Sequence, residues 1–260
     1  MTKISAVIIT FNEERNIARC LQSVKDVADE VVVVDSYSTD RTEEICRSFG
    51  VIFMQNEWLG YSGQKNYANA QASHDHILSL DADEALSETL REEIVKEKEK
   101  GLKHAYEMNR MTNYCGHWIR YGSWYPDRQL RLFNRTSGRW DGEKIHEKYR
   151  PDERIRPEFL KGDILHFSYY SIQEHLDQAN HFTTLTAQVA FSRGKTAPLV
   201  KVMVNPFLRF FRDFFLRAGF LDGYHGFLIA RISAFATFLK YIKIRQLHQQ
   251  TKTKTASPGK

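Results

Sequence analysis

The sequence predicts an α/β fold, a mostly parallel sheet with flanking helices followed by a helical extension. Three observations predict it. Short apolar runs alternate with helix-like stretches over the first hundred residues, three of these runs end on a polar residue (Thr10, Asp35, Asp81), and from Ser171 the pattern turns helical. Strands and helices in alternation demand parallel pairing with right-handed crossovers. In such sheets ligands bind beyond the carboxyl ends of the strands, so three polar strand tips are expected to meet in one crevice.

Taken in order, residues 4–10 (ISAVIIT) form a buried strand, and Asn12 is placed to cap a helix over 13–24. Residues 30–35 carry four consecutive valines, the run expected of a parallel strand covered on both faces. Asp40 can cap a helix reaching Phe49, 51–54 is a third strand, 64–72 is helical and 76–80 is a fourth strand. Ser87 starts a charged helix to about residue 100. Residues 104–170 mix aromatics, Arg and Gly, with strand-like alternation around 128–133. Helical patterning resumes to about His248, broken near 194–198 and 219–226, and the Lys/Thr/Gln-rich 249–260 is expected to be disordered.

A chain of 260 residues, 42% hydrophobic and 27% charged, is long enough for a large α/β domain with an appendage. Cys20, Cys46 and Cys115 are odd in number and lack a CxxC pair, which argues against a disulfide framework or zinc site and fits a reducing compartment. The first residues read as a strand and not as a signal peptide. The net charge of +5 divides into +9 for residues 201–260 and −4 for the remainder. A basic tail points to an anionic surface, nucleic acid or membrane. Phe207, Phe210, Phe211, Phe214 and Phe215 share a helical segment with Arg209, Arg212, Asp213 and Arg217, which suits lipid better than a phosphate backbone. No nucleic-acid partner is expected. Residues 227–239 are too short to span a bilayer, so residues 201–248 are expected to lie on an inner-leaflet surface.

Asp81 and Asp83 lie one residue apart at the end of the fourth strand. Two carboxylates at that spacing repel, and a divalent ion removes the repulsion. Mg²⁺ or Mn²⁺ suits carboxylate oxygens and keeps waters and substrate phosphates as its other ligands.

The ordered stretches Val7-Ile-Ile-Thr-Phe-Asn-Glu-Glu14, Val32-Val-Val-Asp-Ser-Tyr-Ser-Thr-Asp40, Gln64-Lys-Asn-Tyr-Ala68 and Leu78-Ser-Leu-Asp-Ala-Asp-Glu84 resemble the signature of family 2 glycosyltransferases. The resemblance implies a GT-A-type, Rossmann-like nucleotide-sugar fold and inverting chemistry. It implies that Asp35 lies near the nucleobase, Asp81 near the ribose and Asp83 on the metal, with Asp81 as its companion there. Thr10, Phe11, Glu13 and Lys65 match positions lining the nucleotide pocket. Ser36 departs from the second Asp of many members. Residues 1–103 would then be the nucleotide-sugar half and 104–170 the acceptor half of one domain, with 171–248 a basic, membrane-associating extension. The layout of 127–133, 142–147 and 219–227 resembles bacterial lipopolysaccharide-core glycosyltransferases, which implies a UDP-sugar donor (glucose), a lipid-linked glycan acceptor and a cytoplasmic, peripheral enzyme. Capsule or O-unit intermediates, or a protein, are alternative acceptors.

Inversion needs a group that removes the acceptor's proton. Glu147 is the candidate, with Asp127 and Asp141 in reserve, and His146 could be a metal ligand or diphosphate contact. Arg128 and Arg131 could neutralise the leaving diphosphate. Their odd spacing puts them on opposite strand faces, so at most one reaches the site, and Arg128 is the expected one. Competing classes are a haloacid-dehalogenase-type phosphatase, a nucleotidyltransferase and a non-catalytic nucleotide-sugar sensor. The first would want Thr or Val two residues after the second Asp on the first strand, and the second a Gly-rich basic loop after that strand. Neither feature is present.

Overall fold

The computed structural model describes residues 2–142 and 147–256. The chain forms two compact units, Met1–Thr112 with Asp127–Ser168, and Asn113–Pro126 with Tyr169–Lys260.

The first unit is the α/β sheet. Its early elements are β1 (Ile4–Thr10), α1 (Ile17–Val24), β2 (Glu30–Asp35), α2 (Thr42–Ser48), β3 (Ile52–Gln55), α3 (Gly60–Gln71) and β4 (His76–Asp81). β5 (Glu84–Leu86), α4 (Glu88–Lys100), β6 (Ala105–Tyr114), β8 (Asp127–Asn134), β9 (Gly138–Asp141), β10 (Lys148–Pro151) and β11 (Glu158–Tyr169) follow, and the short β7 (His117–Trp118) between β6 and β8 belongs to the second unit. The strand order is β3-β2-β1-β4-β8-β6-β11-β5. The pairs β1–β2, β1–β4 and β2–β3 are parallel, whereas β4–β8, β6–β8 and β11–β5 are antiparallel. Strand order therefore reverses between β1 and β4, where a ligand crevice is expected.

All seven residues of β1 are buried, as a strand covered on both faces requires. Ile4, Ala6 and Ile8 pack with Ile17, Leu21 and Val24 of α1 and Leu90 and Ile94 of α4. Val7 and Ile9 face the other way, with Val32, Val34, Ala68 of α3, Phe133 and Trp140. Burying each large aliphatic side chain contributes roughly 1.5–3 kcal/mol, so the period-two alternation fixes which face of each strand meets which helix. Ser87 caps α4 by accepting from Leu90 N, as its position before the helix predicts. Gly162 of β11 has a φ of +94°, and a Cβ there would come within 2.5 Å of Leu90 N, so the strand approaches the helix only because the residue is glycine. Asn12 does not cap a helix: its φ is +53° and its carboxamide accepts from Thr39 N (2.8 Å), so α1 starts later than expected.

The second unit contains α5 (Ile172–Ser192), α6 (Leu199–Phe211) and α7 (Gly223–Ala256), with a π-helical turn at Arg212–Leu216 and a 3₁₀ turn at Gly219–Asp222. Ser171 and Glu174 form a capping box on α5. Residues 113–126, expected to belong with the sheet, group here for an identifiable reason. The Tyr114 and Trp124 rings pack on His175 and Tyr169, and the Arg120 and Tyr121 N–H groups donate to the buried Asp222 carboxylate. Residues 249–256, expected to be disordered, continue α7, with neither Gly nor Pro between Gly226 and Ala256; 257–260 lie outside the described residues.

His175 is 5% exposed, lies 3.0 Å from the Tyr114 hydroxyl, and burial pushes its imidazole down from 6.5 to about 4. The unfolded chain takes up this proton as pH falls below its ordinary value, while the folded chain does so only near pH 4. Stability is therefore lost through the window from 6.5 to 4, by about 3 kcal/mol at full extent. A melting temperature that falls between pH 7 and pH 5, with a weaker fall in His175→Gln, is the expected result of thermal melts.

Candidate active site

The carboxyl ends of β1, β2 and β4 carry Thr10, Asp35 and Asp81; Thr10 pairs with Asp35, and Asp81 lies opposite Ile9, one residue earlier in β1. Thr10 is buried, and its Oγ1 has no hydrogen-bond partner among the described residues. Asp35 is fully buried; Ser38 N donates to its Oδ2 (2.8 Å) and Ser38 Oγ to its Oδ1. Ser36 accepts from the buried Gln64 Nε2 (3.1 Å). Asn12 N donates to Ser38 Oγ and Glu13 N to Thr42 Oγ1, so the loops after β1 and β2 are pinned together. Phe11 stands in the first of these loops, 55% exposed.

Asp81 is held between two cations. Lys65 Nζ, 1% exposed, lies 2.8 Å from its Oδ1, and Arg131 Nη2, 3% exposed, donates to its Oδ2 at 2.9 Å. Burial alone would raise this carboxyl; the two cations outweigh it and hold Asp81 well below the usual carboxylate range. Arg131 also donates to Glu84 Oε1 (3.0 Å), and Glu84 Oε2 accepts from Asp81 N (3.0 Å). Burial opposes the Arg131 charge, but Glu84 and Asp81 more than offset this and raise its affinity for the proton. The Trp140 ring lies 4.5 Å from Lys65 Nζ and 5.6 Å from Arg131 Cζ, a cation–π support for both.

Asp83 follows one residue beyond the apolar Ala82, which is 3% exposed in the core. Asp83 Oδ2 lies 3.1 Å from His166 Nε2 on β11, and Phe167 N donates to the Asp83 carbonyl. Burial disfavours charge on His166, but Asp83 outweighs it and raises the imidazole above its ordinary value. Glu13 is pushed up to about 7, mainly by burial, with Asp83, Asp40 and Asp81 adding repulsion against the Asn16 hydrogen bond. Glu147 Oε1 lies 3.7 Å from Lys65 Nζ, with 23% of its side chain exposed.

These contacts bring together Lys65, Asp81 and Glu147, and separately Asp83 with His166. Other expected residues have different partners. Arg128 does not join Asp81: its side chain is 61% exposed, pairs with Glu107 and lies over Phe159, whereas Arg131, on the opposite strand face, reaches the site. Asp81, expected beside Asp83 at the metal, has Lys65 Nζ 2.8 Å from one oxygen and Arg131 Nη2 2.9 Å from the other. Asp127 is tied to Arg110 (2.8 Å) and Gln129 (2.8 Å), and Asp141 to Arg150 (3.0 Å). His146 lies outside the described residues. His166 escaped the sequence reading; the available signal was a histidine inside the alternating strand Ile164-Leu-His-Phe-Ser168. Among the described residues no three His, Cys, Asp or Glu side chains are arranged to hold a metal by themselves.

The family model described as Glycosyl transferase family 2 matches residues 5–156. A Rickettsia typhi protein named as an uncharacterized glycosyltransferase is 32% identical over 99% of this chain and 91% of its own length. The Rhizobium meliloti protein named lipopolysaccharide core biosynthesis glycosyltransferase LpsC is 32% identical over 94% of this chain and 93% of its own length. Among solved structures, S. aureus TarS 1-349 aligns over 94% of this chain and 92% of that one, at 16% identity and a TM-score of 0.45.

Proposed function

Because this chain belongs to glycosyl transferase family 2, we propose that it moves glucose from UDP-glucose, with inversion, onto a lipopolysaccharide inner core or another lipid-linked glycan at the cytoplasmic membrane face. The acceptor class is supported by the 32% identity to the protein named LpsC, which covers 94% of this chain.

The observation that carries the catalytic reading is the approach of Glu147 to the clamped Lys65–Asp81 pair. Two cations keep Asp81 ionised, so it serves as a fixed acceptor for donor hydroxyls and not as a base. Glu147 has one cation, at 3.7 Å, and a partly exposed carboxylate, so it is the one fit to take up a proton. In the proposed displacement Glu147 accepts the proton of the attacking acceptor hydroxyl. The hydroxyl oxygen bonds to the anomeric carbon as the bond from that carbon to the diphosphate oxygen breaks, and UDP leaves with the electron pair. Thr10, Phe11, Glu13 and Asp35 would line the nucleoside side.

Asp83 and His166 fit Mg²⁺ or Mn²⁺ as a carboxylate–imidazole pair that needs substrate oxygens and water to complete it. When bound, the ion would supply positive charge to the diphosphate.

Calorimetry against UDP-glucose, UDP-galactose, UDP-N-acetylglucosamine and GDP-mannose, each with and without chelator, tests the donor. UDP-glucose should bind most tightly and lose affinity on chelation. Preferred binding of GDP-mannose would replace the uridine reading.

A further inference from the structure

The α6 segment of the second unit is amphipathic in the reverse of the usual sense. Met203, Val204, Phe207, Leu208, Phe211 and Phe215 recur at helical spacing and are each between 43% and 72% exposed. The charged side faces inward instead. Asp213 is 3% exposed, and its carboxylate accepts from Arg212 Nε (2.9 Å), Arg209 Nε and Ser123 Oγ. Asn205 Nδ2 donates to the Tyr241 hydroxyl (Oη) on α7 at 2.7 Å. A buried carboxylate is costly unless paired, and this one has three donors, so the inward face is satisfied and the apolar stripe is left outward.

Contiguous apolar surface of this kind marks an interaction face. Lys201 and Arg217, both exposed, border it, and Arg212 is exposed too although its Nε donates to Asp213. No described helix is long and apolar enough to cross a membrane. We propose that this face docks on an anionic bilayer: the phenyl rings enter the headgroup–acyl boundary while the bordering cations meet lipid phosphates. A protein partner of ordinary composition explains the rings but not the cationic border. The inference deepens the membrane-face part of the proposed function and rests on that reading only for its purpose, since lipid binding and nucleotide binding are measured separately.

The test is flotation of the full chain with phosphatidylcholine vesicles, with and without phosphatidylglycerol. The wild type should float with the phosphatidylglycerol vesicles, less so at high salt and poorly with phosphatidylcholine alone. Phe207→Ser/Phe211→Ser/Phe215→Ser should lose roughly tenfold in partition for each ring removed, with UDP binding unchanged by calorimetry. A second probe does not depend on the triple variant's folding: Phe207→Trp emission should shift to the blue when phosphatidylglycerol vesicles are added. Equal flotation of wild type and triple variant overturns the proposal. So does an unshifted Trp emission, or a wild type that fails to float and forms dimers that the triple substitution breaks. Flotation retained in a chain that does not bind UDP supports docking and overturns the donor reading alone.

Discussion

Asp83→Asn will cut sugar transfer by about 10²–10³-fold and make UDP binding indifferent to chelator. The substitution keeps the size of the side chain and removes its charge. In the folded protein Asp83 meets one cationic partner, His166, at 3.1 Å, and about a quarter of its side chain is exposed. Loss of the charge therefore leaves the fold standing, and the melting temperature should move little. Asp81→Asn is the contrasting variant: Lys65 and Arg131, both almost fully buried, would lose their shared counter-charge. Breaking a buried pair of that kind costs about 3–5 kcal/mol, so this variant should lose stability as well as turnover. The paired measurement separates the ion-holding carboxylate from the one that holds the site together. Full turnover in Asp83→Asn, or chelator-sensitive UDP binding in that variant, would remove Asp83 from the metal.

Glu147→Gln should retain UDP-glucose affinity and lose transfer by about 10²–10⁴-fold, the usual worth of a general base. The amide keeps the contact near Lys65 but cannot take up the acceptor's proton. The effect belongs in kcat, with donor affinity by calorimetry unchanged. Asp127→Asn and Asp141→Asn provide the comparison, because the carboxylates they replace are already committed to Arg110 and Arg150. Near-normal turnover in Glu147→Gln with a severe loss in Asp127→Asn would transfer the role.

The parallel half was legible because its strands are buried on both faces. The four-valine run and the ISAVIIT segment are β2 and β1 with the expected bounds. Polar strand tips then mark where a ligand crevice is expected in such a sheet. The antiparallel half was harder to read, since β6 and β11 mix polar and aromatic residues and their long pairing partners lie far off in sequence. That is why His166, brought to Asp83 by the β11–β5 ladder, went unseen. Strand parity correctly separated Arg128 from Arg131 but could not say which face turns inward. That choice is made by pairing with β4 and by the irregularity between Tyr106 and Glu107 in β6. The Phe-rich segment was recognised as two-faced, yet the exposure of its rings depends on how Asp213 is satisfied, which is a tertiary fact.

Ala82 has a consequence for what this chain can vary. Its methyl group is 3% exposed among Ile8, Leu80 and Ile164, between two acids that point elsewhere. The interval between Asp81 and Asp83 is thus a ruler whose middle mark is a peg driven into hydrocarbon. A wider peg would lift the chain off its seat and carry both acids with it, so steric fit alone favours a small side chain here.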